Sequence, residues 1–435
     1  MPSRTYTVIS VANRGAEGPR AAEFNNRQTK LGTANTIMSI LIVGTGISGL
    51  TLAQGLRSAN IPFRLFERDP SFKIRAQGYR IRIEGTGTNA LQETLSPNLF
   101  AQVKSTCAPF LTGGVRLDAL DARSVQGGGP RRIGDPTSIA LSADRTVLRR
   151  VLWQGLEEHI AFGKKFVSYE VTERGVAVKF GDGSEVEGSL LVGADGARSN
   201  VRKQFLPDLI PVDTEGRLIY GKTLLTSELE EKIDRRTMGG LSMLRDPTYK
   251  VPLSAVLEPM RFNVQDRESR EKKGLPEDYF YWVLGWRKDV LDSQDSELRS
   301  LPTEAAAALS KKLTSNWHPS LRVLFDLQDV THTSALSISS MKPDIPEWPP
   351  SKHVTLIGDA MHLMSPTAGI GANTALRDAA LLSKTLAEKG MGVDAVGSYE
   401  RSMREYARQA VIMSHMGGKS LFGMKSFEDL KPGMP

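Results

Sequence analysis

The stretch "LIVGTGISGL" (41–50) constrains the fold more than any other part of the chain. Gly44, Gly46 and Gly49 form G-x-G-x-x-G between "SILIVG" (39–44), which reads as a buried strand, and "ISGLTLAQGLRSAN" (47–60), which reads as a helix. The first glycine permits a tight turn, the second lets backbone approach a pyrophosphate, and the third allows close helix–strand packing. Unpaired N–H groups and the positive dipole end at the helix start favour phosphate. A second strand, "FRLFER" (63–68), ends near Glu67, where an acid accepts hydrogen bonds from a ribose hydroxyl. The opening is therefore a βαβ dinucleotide-binding unit of an α/β protein. These residues do not separate NAD from FAD, but a carboxylate at the ribose argues against a 2′-phosphate there.

Two later segments carry the same texture. "VAVKFGDGSEVEGSLLVGAD" (176–195) reads as a strand, an Asp-Gly hairpin turn, a strand and a buried strand. It runs into "GARSNVRK", so Asp195, Gly196, Ser199 and Arg202 stand at that strand's end. "HVTLIGDAMHLMSPTAGIGAN" (353–373) is another buried strand followed by a glycine-containing turn and a helix from about 370 to 389. "DRTVLRRVLWQGLEEHI" (144–160) has helical spacing with Asp144 as N-cap. Between about 209 and 340 the pattern changes. Short β-like runs, "RLIYGKTLL" and "YFYWVLGWR", alternate with a charged loop at 265–278 and a helical stretch at 303–317. The proline-rich "MKPDIPEWPPSK" (341–352) closes this inserted module, and an amphipathic helix at 394–416 ends the ordered pattern.

Composition narrows the function. The net charge of +7 is partly carried by residues 1–37, and the rest is spread thinly with no basic block interleaved with aromatics, so no nucleic-acid partner is expected. The single Cys107 and six scattered His residues offer no metal-ligand spacing, so no metal is expected. No run approaches the ~18 apolar residues of a membrane span. Residues 1–37 read as a disordered extension ahead of Met38. Their Arg, Ser and Thr content also loosely resembles a transit peptide, leaving mitochondrial targeting beside the expected cytoplasmic location.

Taken together, the glycine loop, "LLVGADGARSNVRK" and "VTLIGDAMHLMSPTAGIGAN" resemble the flavoprotein aromatic hydroxylases, the group A flavin monooxygenases. The resemblance runs from 38 to about 415 and is nearest in pattern to short soluble fungal and bacterial natural-product members such as the tetracycline-inactivating monooxygenases. It implies a Rossmann-like FAD-binding domain of the p-hydroxybenzoate hydroxylase type (38–208 and 341–393). A β-sheet substrate domain (209–340) interleaves with it, and a C-terminal helix and tail (394–435) follow. It also implies FAD as cofactor and NADPH or NADH as transient co-substrate. One oxygen atom of O2 would be inserted, by hydroxylation or epoxidation, into an aromatic or polycyclic small molecule of secondary metabolism. A flavin oxidoreductase without oxygen insertion is the alternative.

By the same resemblance, Asp359 accepts a hydrogen bond from a ribityl hydroxyl. Gly369, Gly371, Ala372 and Asn373 open a helix against the flavin's pyrimidine edge, and Pro366 lies beside its oxygen-reactive face. Arg145 contacts the cofactor from the 144–160 helix, Gly78 sits in a loop passing the flavin, and Arg68 joins the cofactor set. Asp195 either serves FAD and NADPH or simply closes its strand–helix turn.

The substrate side departs from the family. "GRLIYGKTLL" (216–225) lacks the Arg of the aromatic–Arg pair carried by salicylate-hydroxylase-like members. Strand alternation puts Leu218, Tyr220 and Lys222 on one face and Arg217 and Ile219 on the other. Tyr220 and Lys222 are thus the candidates for substrate contact. Arg80, two residues past Gly78, either meets a substrate carboxylate or phenolate or merely flanks a strand. Trp282 and Trp286 lack the halogenase W-x-W-x-I-P signature and read as core or pocket wall, and His362 reads as packing.

Overall fold

Strand β1 (Ile40–Val43) is four consecutive aliphatics with almost no exposed surface, as a strand covered on both faces requires. The structure is a computed structural model that describes residues 39–72, 80–125, 139–264, 266–290, 298 and 301–432, so the 1–37 extension and Gly78 lie outside it. β1 pairs with β2 (Phe63–Phe66) on one side and with β10 (Leu190–Gly193) on the other. β6 (Ile160–Ala161) and β16 (Val354–Leu356) complete a five-stranded sheet in the order β16–β10–β1–β2–β6, every pair parallel. The helix Ile47–Ser58 joins β1 to β2, and the helix Gly371–Lys389 packs against it. Each fully buried Leu or Ile of this core contributes roughly 1.5–3 kcal/mol.

β7 (Phe166–Thr172), β8 (Gly175–Phe180) and β9 (Glu185–Gly188) form a separate three-stranded sheet. The inserted module is built on a six-stranded sheet made, in order across it, of β15 (Ser334–Ser340), β11 (Val212–Leu224), β14 (Tyr279–Arg287), β13 (Leu253–Met260), β12 (Ser242–Asp246) and β4 (Arg116–Asp118). β4 lies ahead of residue 209 in the chain, so the sheet reaches outside 209–340. Period-two alternation sorts its faces. Ile219, Phe280, Trp282, Leu284 and Trp286 pack with Trp317, Leu324 and Phe325 beside the helices Thr303–Leu313 and Pro319–Asp326. Leu218, Tyr220, Tyr279, Tyr281 and Val283 face the opposite way, toward Val147 and Phe422. A short antiparallel ribbon, β3 (Arg80–Ile83) with β5 (Leu141–Asp144), lies at this junction.

Three elements differ from the sequence reading. The 265–278 stretch contains a helix, Arg267–Lys273, capped by Asp266 on the Ser269 amide at 2.7 Å and closed by Gly274 at φ 60°. None of its residues is buried, so no apolar periodicity announces it. The helix after Asp144 ends at Trp153 rather than near 160. The last helix runs from Val393 to Phe422, well past 416, because Gly418 inside it gives close approach to Met424 rather than ending the helix.

Candidate cofactor and substrate site

The parallel sheet gathers the expected cofactor residues at one edge. Gly44 follows β1, Glu67 follows β2, Asp195 lies just past β10, and Gly358–Asp359 lie just past β16. Four neighbouring strands thus deliver them at their carboxyl ends. The chain leaves β1 toward β2, while β10 lies on the other side, so a strand-order switch falls between β1 and β10, where open α/β sheets bind ligands.

Close packing explains the glycines. A Cβ on Gly44, whose φ is 108°, would lie 2.3 Å from the Ala194 carbonyl oxygen, and one on Gly49 would lie 2.1 Å from that of Gly44. A Cβ on Gly46 would meet nothing within 4 Å, and the same holds at Gly369, leaving open space on the ligand side of both loops. A pyrophosphate and a ring system need such room, so the cradle fits FAD.

Glu67 is held ready rather than loose. Its Oε2 accepts from the Thr45 amide at 3.1 Å and the Thr45 hydroxyl at 2.6 Å, and its Oε1 accepts from the Asp69 amide at 3.0 Å. Burial alone would raise its pKa, but these hydrogen bonds and the nearby Arg149 guanidinium outweigh it and hold the carboxyl below its usual value. A carboxylate with about four lone-pair sites retains capacity for a ribose hydroxyl. Arg149 also donates to the Thr45 carbonyl at 3.2 Å, tying the Arg145–Trp153 helix to the glycine loop. Arg68 is exposed at the rim of this edge.

Asp195 accepts from the Asn200 and Val201 amides at 2.8 and 3.3 Å and so closes its strand–helix turn. Arg202 is buried and donates to the carbonyls of Ala360 and Ala197 at 2.9 and 3.1 Å, which bolts that turn to the Gly358–Asp359 segment.

Asp359 is open to solvent yet walled in by protein. That crowding, with the like charge of Asp378, raises its pKa, and His362, Arg145 and Arg202 act in the opposite direction. Arg145 and Asp359, 214 residues apart, therefore share one electrostatic neighbourhood. Pro366 opens a short turn ending at Gly369 (φ 67°), and Gly371 and Ala372 begin the following helix. Asn373 accepts from the Glu84 amide at 3.0 Å and donates to the Arg82 carbonyl at 3.2 Å, anchoring this helix to the β3 ribbon.

The substrate-side candidates converge on one junction. Tyr220 and Lys222 do share a sheet face, with Tyr220 6.2 Å from Tyr281 between ring centroids. Lys222 pairs with Asp144 at 2.9 Å, and Tyr279 donates its hydroxyl proton to the same Asp144 oxygen at 2.9 Å. Arg80 forms a buried ion pair with Glu258. Trp282 and Trp286 lie in the core on the sheet's other face.

Sequence reading missed Asp378, which accepts hydrogen bonds from the Gly358 amide, His362 and Tyr406, each at 2.6 Å. Asp378 sits mid-helix among apolar residues, and only its position on the buried face marks it. Glu258 and Asp144 were equally invisible as ion-pair partners, because their cations lie 178 and 78 residues away.

Comparison with known proteins agrees with this geometry. The FAD binding domain family matches residues 330–414. A dual O-methyltransferase/FAD-dependent monooxygenase of Phaeosphaeria nodorum is 36% identical, aligned over 91% of this chain and 47% of that protein. Its counterpart in Cercospora beticola is 35% identical, over 90% and 47%. The chain spans about half the length of these curated relatives. A proposed FAD-containing monooxygenase of Photorhabdus luminescens has a solved structure with TM-score 0.73 and 31% identity, covering 88% of this chain and 98% of that one. Klebsiella pneumoniae HpxO, solved with FAD and uric acid, shares the fold at TM-score 0.69 and 18% identity, over 88% of each chain. The chain belongs to the FAD-dependent monooxygenase family, in its group A branch.

Among the described residues no helix is long and apolar enough to cross a membrane, and no cluster of potential metal ligands is found.

Proposed function

We propose that this protein uses NADPH or NADH and O2 to insert one oxygen atom into an aromatic or polycyclic small molecule of secondary metabolism. The observation that carries the reading is the alignment of Gly44, Glu67, Asp195 and Asp359 at the carboxyl ends of adjacent parallel strands, beside a sheet face bearing Tyr220 and Tyr281. FAD, when bound, supplies the redox chemistry that joins nicotinamide oxidation to oxygen activation.

The protein supplies placement and electrostatics. Gly46 leaves room for the pyrophosphate, Glu67 receives a ribose hydroxyl, and Asp359 receives a ribityl hydroxyl. Arg68, Arg145 and Asp195 join this cofactor set, and Gly78 is assigned to the passing loop. Pro366, Gly369, Gly371, Ala372 and Asn373 form the helix start on which the ring would rest, with its N–H groups favouring negative charge by about 0.3–2 kcal/mol. Tyr220 is assigned to substrate contact. Lys222 and Arg80 have buried carboxylate partners, so their role is to hold the sheet face that bears Tyr220 against the β3–β5 ribbon. A water-poor junction keeps reducing equivalents from being lost to peroxide.

The fungal relatives join such a unit to an O-methyltransferase, which supports a phenolic small molecule as substrate or product. The test is isotopic. With labelled O2, a phenolic polycyclic substrate should gain one labelled oxygen atom per NADPH consumed. NADPH oxidation without label in the organic product would favour the alternative, a flavin oxidoreductase without oxygen insertion.

A further inference from the structure

Asp378, His362 and Tyr406 form a buried network that touches the cofactor edge through one turn. Asp378 and His362 have no exposed surface, and Tyr406 is nearly buried. Asp378 Oδ2 accepts from the Gly358 amide and pairs with His362 Nε2, while Oδ1 accepts the Tyr406 hydroxyl proton. Gly358 has φ 62°, a conformation open to glycine, and the hydrogen bond from its amide to Asp378 pins the turn in that conformation. That turn carries Asp359.

The geometry points to Asp378 and His362 as positioning residues: Asp378 shapes the Gly358–Asp359 turn and seats His362 beside Asp359, where the imidazole favours the carboxylate that receives a hydroxyl of the cofactor. This rests on the FAD reading above and adds to it a pH limit on cofactor binding. The charged and titratable groups around the pair come from four directions. Asp378 lies on the Gly371–Lys389 helix and Tyr399 and Tyr406 on the C-terminal helix, with Arg377 over the Tyr406 ring at 3.9 Å. Arg145 and Arg202 approach Asp359 from their own helices, and Asp359 itself faces His362. Burial works against an imidazolium, but Asp378 and Asp359 more than offset it, and the His362 pKa is raised. A charged His362 then opposes the crowding that would protonate Asp359.

The test is FAD titration of the full-length apoprotein, followed by flavin fluorescence from pH 5 to 9. Wild type should lose affinity on acidification as Asp359 protonates, and Asp359→Asn should remove that acid limb. His362→Gln should move the acid limb up by about one pH unit, which weakens binding about tenfold on the acid side of the limb and little above it. Asp378→Asn should weaken binding by loosening the Gly358 turn, and Tyr406→Phe, which removes one donor to Asp378, should do so less. An unchanged acid limb in His362→Gln, or a loss of affinity equal at every pH and tracking a fall in Tm, would overturn the proposal. Wild-type protein that binds no FAD at any pH would overturn the FAD reading beneath it.

Discussion

Arg80 and Asp144 lie directly opposite each other on the β3–β5 ribbon, and each reaches into the six-stranded sheet to a residue of opposite charge. Their partners, Glu258 on β13 and Lys222 on β11, flank Tyr281 of β14 in one cross-strand row. Four buried charges thus form two opposed pairs between the β3–β5 ribbon and the six-stranded sheet.

Breaking one pair strands a buried charge. Lys222→Met should therefore destabilise the protein by about 3–5 kcal/mol, even though Tyr279 and the Thr146 and Val147 amides still hold Asp144. Urea unfolding measures this. The double variant Lys222→Met with Asp144→Asn should recover part of the loss, because no unpaired charge remains. Equal losses in the single and double variants would show that the pair does not act as a unit.

The two kinds of glycine in the first loop should behave differently. Gly49→Ala drives a Cβ into the Gly44 carbonyl and should lower Tm along with cofactor retention. Gly46→Ala adds a methyl group to open space, so Tm of the apoprotein should hold while the ratio of flavin to protein absorbance falls.

Glu67 and Glu400 should show opposite pH dependence. Glu67 has a folded-state pKa below 4.5, so it stabilises the protein above that pH and the benefit disappears as pH falls through the lower folded value. Glu67→Gln should be less stable than wild type at pH 7, and the difference should close on acidification. Glu400 is buried and accepts from the Thr355 hydroxyl at 2.9 Å, and burial raises its carboxyl to about 7. The folded state then holds a proton that the unfolded chain has released, so stability is lost as pH rises from 4.5 through about 7. Glu400→Gln keeps the Thr355 bond and should gain on wild type by roughly 3 kcal/mol across that window.

The parts of the site that are local in sequence are the legible ones. Glycine spacing, a buried four-residue strand and an acid at the next strand's end all fall within thirty residues, so local pattern suffices to place Gly44, Gly46, Gly49 and Glu67. Strand alternation likewise puts Tyr220 and Lys222 on one face. Partners across the fold leave no such trace. Nothing near Arg80 signals Glu258, and nothing near His362 signals that Asp378 also holds the Gly358 amide. The helix at Arg267–Lys273 escapes for another reason: with no buried residue, it has no apolar stripe to reveal its period.

Flavin binding and its reduction by nicotinamide are tested most directly by the visible absorption spectrum of the purified chain after reconstitution with FAD, recorded before and after anaerobic NADPH. A bound-flavin spectrum should appear and should bleach with NADPH, faster when a phenolic polycyclic ligand is present. A chain that stays colourless after reconstitution would contradict this, and the carboxyl edge of the parallel sheet would then have to serve a different nucleotide.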